Sequence, residues 1–272
     1  MNGPELLHKH ADHLKSRMGG CFLGDRVISR GYNLHTELNT MNWMEYYAFT
    51  ITGRRFTPQQ LRIMNALWLF TSYPDARIWN LRIAALAGST RSTGNLGMSA
   101  SLAVSEAAIY GRGIDIRAID FLQRTLKEME NGAELADCVQ KELKKYRGIA
   151  GFGRPLSSAD ERIAPTMALA REAGFDQSPH VKLAFAIENH LQAGRWRFRI
   201  NAGGLFAALG ADLGLTAQEY YLFMFPAFLG GTPPCYIESA ERPEGTLFPL
   251  SCDHIRYEGV PKRQWRSLSP ES

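Results

Sequence analysis

Three stretches of this sequence each fix the start of an α-helix. Thr57-Pro58-Gln59-Gln60 supplies a capping threonine, a proline at the first helical position and a glutamine that reaches back to the cap. Thr216-Ala217-Gln218-Glu219 repeats the box with a glutamate, and Ser178-Pro179 supplies a cap and a proline. Behind each start the apolar residues recur near a period of 3.6, as in Leu61, Met64, Leu67, Trp68 and Phe70. These signals predict helices over 57–72, 179–193 and from 216 to the Gly230-Gly231 break. The same periodicity predicts a short frayed helix within 1–17 and one from Asn39 or Thr40 through Thr52, stopped by Gly53. It predicts others over about 75–87, 98–110, 115–130, 133–146, 159–173, 201–214 and 234–241. Met18 to Asn33 reads as small strands or loops, and the tail 246–258 as extended, with Ile255-Arg256-Tyr257 a candidate strand. No run of strands alternates with helices, and Gly203-Gly204 follows no convincing strand, so a dinucleotide-binding sheet is not expected. The expected fold class is all-α.

Composition narrows the function. The 272 residues suffice for one large or two small domains with a sizeable core. A net charge of +4, with basic residues spread along the chain, is a poor fit to nucleic acid. The mild concentrations at Arg195, Arg197 and Arg199 and at Lys262, Arg263 and Arg266 suit a small anion or a solvated basic surface. No apolar run reaches membrane-spanning length, and Asn2 to Arg17 is too polar for a signal peptide. The cysteines at 21, 138, 235 and 252 form no metal-binding or redox spacing. No metal site is expected, and a reducing cytoplasm is the expected location. Phosphate-loop, nucleophile-elbow and zinc-protease motifs are absent, as are internal repeats.

One loop stands out. Gly151-Phe152-Gly153-Arg154-Pro155 puts two glycines around an aromatic, where backbone can approach a ligand closely. Ser158 and Glu161 then have the spacing of a capping box, which would set Arg162 in the first turn of the 159–173 helix, beside amides that favour anions. A grip for carboxylate or phosphate and a purely structural turn both fit this pattern.

Arg30-Gly31-Tyr32-Asn33-Leu34 and Thr52-Gly53-Arg54-Arg55-Phe56-Thr57-Pro58, with the loop above and Asp160-Glu161-Arg162, resemble citrate synthases and the shorter citryl-CoA lyases. The block from Leu169 through His180 to Gly194 and the tail Arg256-Tyr257-Glu258-Gly259 extend the similarity over about residues 26–260. The resemblance implies a multi-helix homodimer whose large helical domain carries a smaller inserted one. On this chain that is a large-domain part at 1–147, a small domain at 148–245 and a returning tail at 246–272. It implies a coenzyme A thioester as substrate in the cleft, with no tightly bound cofactor, and a carboxylic or oxo acid as second partner. In the family an aspartate takes a proton from the acyl methyl, and two histidines stabilise the enol and polarise the keto group.

This chain departs at each of those three positions. Tyr110 stands where the first histidine would be, Arg154 replaces the second, and no Asp or Glu occurs between Glu188 and Asp212, where the aspartate would fall near Asn201. Tyr110, Arg154 and Asn201 are the candidate catalytic residues. Arg162 matches a family arginine that holds a substrate carboxylate, and Gly151, Phe152 and Gly153 match the cofactor-contacting loop. Tyrosine and arginine stay protonated at neutral pH, so they can stabilise an oxyanion but are no ready base. Three readings stay open: an enzyme that makes or breaks carbon–carbon bonds on an acyl-CoA with altered residues, or cleaves the thioester; a silent homologue that binds a metabolite or an active partner; and a helical interaction module.

Overall fold

The computed structural model describes residues 2–11, 15–109, 111–154, 159–246, 254 and 256–264. After α1 (Gly3–His10) the chain makes a small antiparallel sheet, β1 (Gly19–Phe22), β2 (Arg26–Ser29) and β3 (Tyr32–Asn33), in the order β1-β2-β3. Every other regular element among the described residues is helical: α2 (Trp43–Thr52), α3 (Pro58–Leu69), α4 (Leu81–Ser89), α5 (Gly94–Val104), α6 (Asp115–Glu130), α7 (Leu135–Tyr146), α8 (Ile163–Glu172), α9 (Pro179–Ala193), α10 (Ala202–Asp212), α11 (Ala217–Phe223) and α12 (Thr232–Glu241). Two short 3-10 turns, Arg112–Ile114 and Phe225–Phe228, complete the described elements.

The capping boxes behave as their chemistry dictates. Thr57 accepts from the Gln60 amide and Gln60 returns the bond, and Thr216 and Glu219 do the same. At α9 the serine does not cap. Asp212 of α10 reaches across instead and accepts from the His180 and Val181 amides at 3.0 Å each, tying the start of one helix to the end of another.

Several predicted boundaries move. α2 is capped by Asn42 rather than Asn39 or Thr40. The helix expected from 75 begins at Leu81, because the Asp75 carboxylate folds back onto the Arg77 amide and guanidinium. The helix expected over 98–110 is α5, capped by Thr93, and it ends at Val104. The helix expected to reach Gly230 stops at Phe223, and Pro226 sits inside the 3-10 turn that follows it. The candidate strand at 255–257 includes Ile255, which lies outside the described residues.

α10 organises the core. It is apolar on every side, buries Ala202 and every residue from Gly204 to Ala211, and packs against α3, α6, α9 and α11. α12 lies against α4 and α5, with Leu81, Ala85 and Cys235 in a separate small cluster. Between α5 and α6, Arg112 is 3% exposed. It pairs with Asp115 at 3.0 Å, donates to the Tyr221 carbonyl and lies 4.8 Å from that residue's ring. Burial pushes the Asp115 carboxyl up to about 6, with Arg112 working against it.

Candidate functional site

The loop after α7 is zipped onto the segment before α10. Phe152 and Ile200 form an antiparallel bridge, the Gly153 amide donates to the Arg199 carbonyl at 2.7 Å, and the Asn201 amide donates to the Gly151 carbonyl at 2.9 Å. Gly151 has φ +89°, and a Cβ there would lie 2.4 Å from the Gly204 Cα. Glycine is therefore dictated twice, by the left-handed backbone and by the approach of α10. Phe152 is buried in the core. Asn201 spends both ends of its side chain: Oδ1 accepts from the Gly204 amide as the cap of α10, and Nδ2 donates to the Gly153 carbonyl at 2.8 Å.

The residue that gathers the site is Asp160. Its side chain is 1% exposed. Oδ1 accepts from the Arg162 amide (3.1 Å) and Nε (2.8 Å), and Oδ2 from Arg162 Nη2 (2.8 Å) and the Ala202 amide (2.9 Å). Arg154 Nη1 stands 3.9 Å away. Burial works against the charge, but the hydrogen bonds from Arg162 and Ala202 outweigh it and hold the carboxyl at about 2. A carboxylate does reach the start of α10, then, though the sequence around Asn201 has none. It is too acidic and too fully bonded to take a proton from carbon.

Glu161, next in the chain, turns the other way. Its oxygens meet Arg154 Nη1 at 2.5 Å and Nη2 at 3.3 Å, and Arg154 also donates to the Ala159 carbonyl. The hydrogen bond from Arg154 lowers the Glu161 carboxyl. Tyr73 lies alongside, its ring 5.6 Å from the Arg162 guanidinium carbon. Burial raises the Tyr73 hydroxyl, with Arg162 opposing and Glu161 reinforcing the rise.

Of the predicted site residues, Arg154, Arg162 and Asn201 do meet here with Gly151, Phe152 and Gly153, while Tyr110 lies outside the described residues. The predicted capping box is corrected on one side: α8 begins at Ile163, so Arg162 precedes the helix and Glu161 pairs with Arg154. Its other half, Ser158, lies outside the described residues. Arg162 is bound to Asp160 rather than open to a ligand. The sequence leaves Arg197 and Arg199 between a small-anion site and a solvated basic surface. With Gly153, Arg154, Asp160, Phe198 and Ile200 they line a cavity of about 110 Å³. Lys144, Arg147, His190, Arg195 and Trp196 line a second groove of about 630 Å³.

No protein-family model matches this chain. Nor does any curated protein. Solved structures do. The chain is similar to citryl-CoA lyase from Hydrogenobacter thermophilus, with a TM-score of 0.80 and 19% identity over 93% of this chain and 98% of that one. It is similar to ATP citrate lyase from Methanothrix soehngenii, in complex with citrate and coenzyme A, with a TM-score of 0.75 and 16% identity over 96% of this chain and 45% of that one. It is also similar to citrate synthase from the thermophilic archaeon Thermoplasma acidophilum, in a ternary complex with carboxymethyl coenzyme A and oxaloacetate, with a TM-score of 0.64 and 18% identity over 84% and 59%. These superpositions and the mostly helical architecture agree: the chain has the citrate synthase-like fold.

Proposed function

We propose that this protein binds a coenzyme A thioester and a carboxylic or oxo acid, and makes or breaks a carbon–carbon bond between them without a carboxylate base. The supporting observation is the strip Arg195–Ile200, whose first two residues line the broad basic groove and whose last four line the arginine-lined cavity. A coenzyme A thioester presents phosphates and an adenine ring. Arginines hold phosphate oxygens in pairs of hydrogen bonds, and an indole such as Trp196 offers a stacking face. The structural neighbours captured with coenzyme A or its analogue support the same ligand class. Tyr110 and Arg154 are the electrophilic candidates for a developing oxyanion.

A second reading, a silent homologue that binds the same ligands, is favoured by one observation. Asp160 is locked by Arg162 and Ala202, and both polar ends of the Asn201 side chain are already bonded to backbone. The enzyme reading takes from the resemblance a cytoplasmic homodimer with the domain division at residues 147 and 245, while the silent homologue would pair with itself or with an active subunit. α5 suits that interface: it buries only Gly97 and Ser101 and leaves Leu96, Ala100, Ala103 and Val104 exposed.

The test is calorimetry with coenzyme A, acetyl-CoA, malonyl-CoA, citrate and oxaloacetate, followed by mass-spectrometric assay for condensation or cleavage. A bound thioester whose affinity falls about tenfold or more in Arg199→Ala or Lys144→Ala supports the ligand assignment. Turnover separates the enzyme from the silent homologue. Absence of binding by every thioester refutes the assignment.

A further inference from the structure

Two adjacent carboxylates at the site are held very differently. The Asp160 side chain is 1% exposed and takes four hydrogen bonds. That of Glu161 is 54% exposed, and its carboxylate meets the Arg154 guanidinium, with the Tyr73 hydroxyl as a further hydrogen-bond partner. Both guanidinium nitrogens of Arg154 face the two Glu161 oxygens, the arrangement in which arginine holds a free carboxylate or a phosphate. The same guanidinium lines the cavity shared with Arg197 and Arg199, and neither of those two pairs with a carboxylate among the described residues. At about 110 Å³, against about 630 Å³ for the neighbouring groove, the cavity suits a small anionic group.

We infer that the Arg154–Arg197–Arg199 cavity is a binding site for a single oxyanion group, a carboxylate or a phosphate, and that Glu161 is its built-in competitor, occupying the Arg154 fork until the ligand displaces it. The inference rests on the anionic ligand class proposed above and adds the determinant of its affinity. Glu161 is released readily because an exposed ion pair is a weak one, and swinging it into solvent leaves Asp160 and the start of α10 intact. Asp160 cannot play this part, since moving it strips bonds from Arg162 and Ala202 together.

The experiment is a titration of the full chain with inorganic phosphate and, separately, with citrate. It follows the arginine Nε–Hε resonances, assigned with Arg154→Ala and Arg199→Ala, and compares the parent protein with Glu161→Gln. Loss of the competing charge should tighten binding about two- to five-fold, the range set by an exposed ion pair. That gain should vanish in Glu161→Gln/Arg154→Ala. The anion that gains more identifies whether a carboxylate or a phosphate is the natural group. Equal or weaker binding in Glu161→Gln overturns the competitor role, and failure of both anions to perturb Arg154 or Arg199 in either protein overturns the site. A parallel coenzyme A titration keeps the two proposals apart. Coenzyme A binding with no gain for either anion sinks this inference alone; a gain without binding of any thioester sinks the thioester assignment alone.

Discussion

Asp160→Asn is the substitution that tests the central claim about this site, that its buried carboxylate is a structural clamp. Asparagine keeps the shape and one acceptor oxygen but turns the other into a donor. Whichever way the amide faces, two bonds are lost: those from the Arg162 amide and Nε to Oδ1, or those from Arg162 Nη2 and the Ala202 amide to Oδ2. At roughly 1.5 kcal/mol for each bond to a charged partner, the loss is about 3 kcal/mol, the low end for breaking a buried ion pair. Urea denaturation at pH 7 should therefore lower the unfolding free energy by about that amount. The pH dependence carries a sign that a neutral packing effect lacks. The folded carboxyl sits at about 2, below its ordinary 3.8, so its contribution is fully present above the unfolded value and fades as pH falls from 3.8 towards 2. The gap between parent and variant should close over that window. A loss below 1 kcal/mol at pH 7, or a gap indifferent to pH, would refute the clamp and leave Asp160 free for chemistry.

Other consequences are sharper by contrast. Gly151→Ala drives a Cβ to 2.4 Å from the Gly204 Cα in left-handed backbone, and should cost at least about 3 kcal/mol and disturb ligand binding. Gly132→Ala, at φ +90° with nothing within 4 Å, should cost only about 1 kcal/mol, and denaturation of both separates strain from steric contact. Asp115 should titrate near 6 by carboxyl NMR. Its sign is opposite to that of Asp160: the folded state binds the proton more tightly, so its charging opposes folding above pH 6, and that penalty lifts as pH falls through 6 towards 3.8. Asp115→Asn should abolish this segment of the stability profile.

Legibility followed the range of the forces. The boxes at Thr57–Gln60 and Thr216–Glu219 are closed by four residues bonding among themselves, so the sequence contains all the partners. α4 was placed too early because Asp75 can cap a helix or grip its neighbour Arg77, and a linear pattern does not rank the two. The pattern extends α5 to Tyr110 because small apolar residues continue past Val104. The Ser105 carbonyl is taken instead by the amide of Arg112, whose side chain is drawn inward to Asp115 and the Tyr221 carbonyl. The glycine loop was legible as a close approach, but its object was not: what comes close is the backbone of α10.

The same distinction bears on whether the site is catalytic. In sequence, Asp160-Glu161-Arg162 is two acids and a base, and any pairing is possible. In space, burial selects. The acid drawn under α10 must be satisfied completely, because an unpaired buried charge costs several kcal/mol, and Arg162 and the Ala202 amide are the donors within reach. Once those are spent, the exposed acid meets Arg154, the residue standing where the resemblance places a histidine, and the Tyr73 hydroxyl. A histidine there could exchange protons near neutrality; an arginine cannot, and serves only to hold negative charge. Under the proposed function, Arg154 therefore makes this an anion-holding position rather than a proton-transfer one. If the protein does turn over a thioester, the expected pH–rate profile has no limb from Arg154 or Asp160 between pH 5 and 9. An ionisation of either group in that range, revealed by a limb that disappears on substituting it, would show that the clamp opens during the reaction.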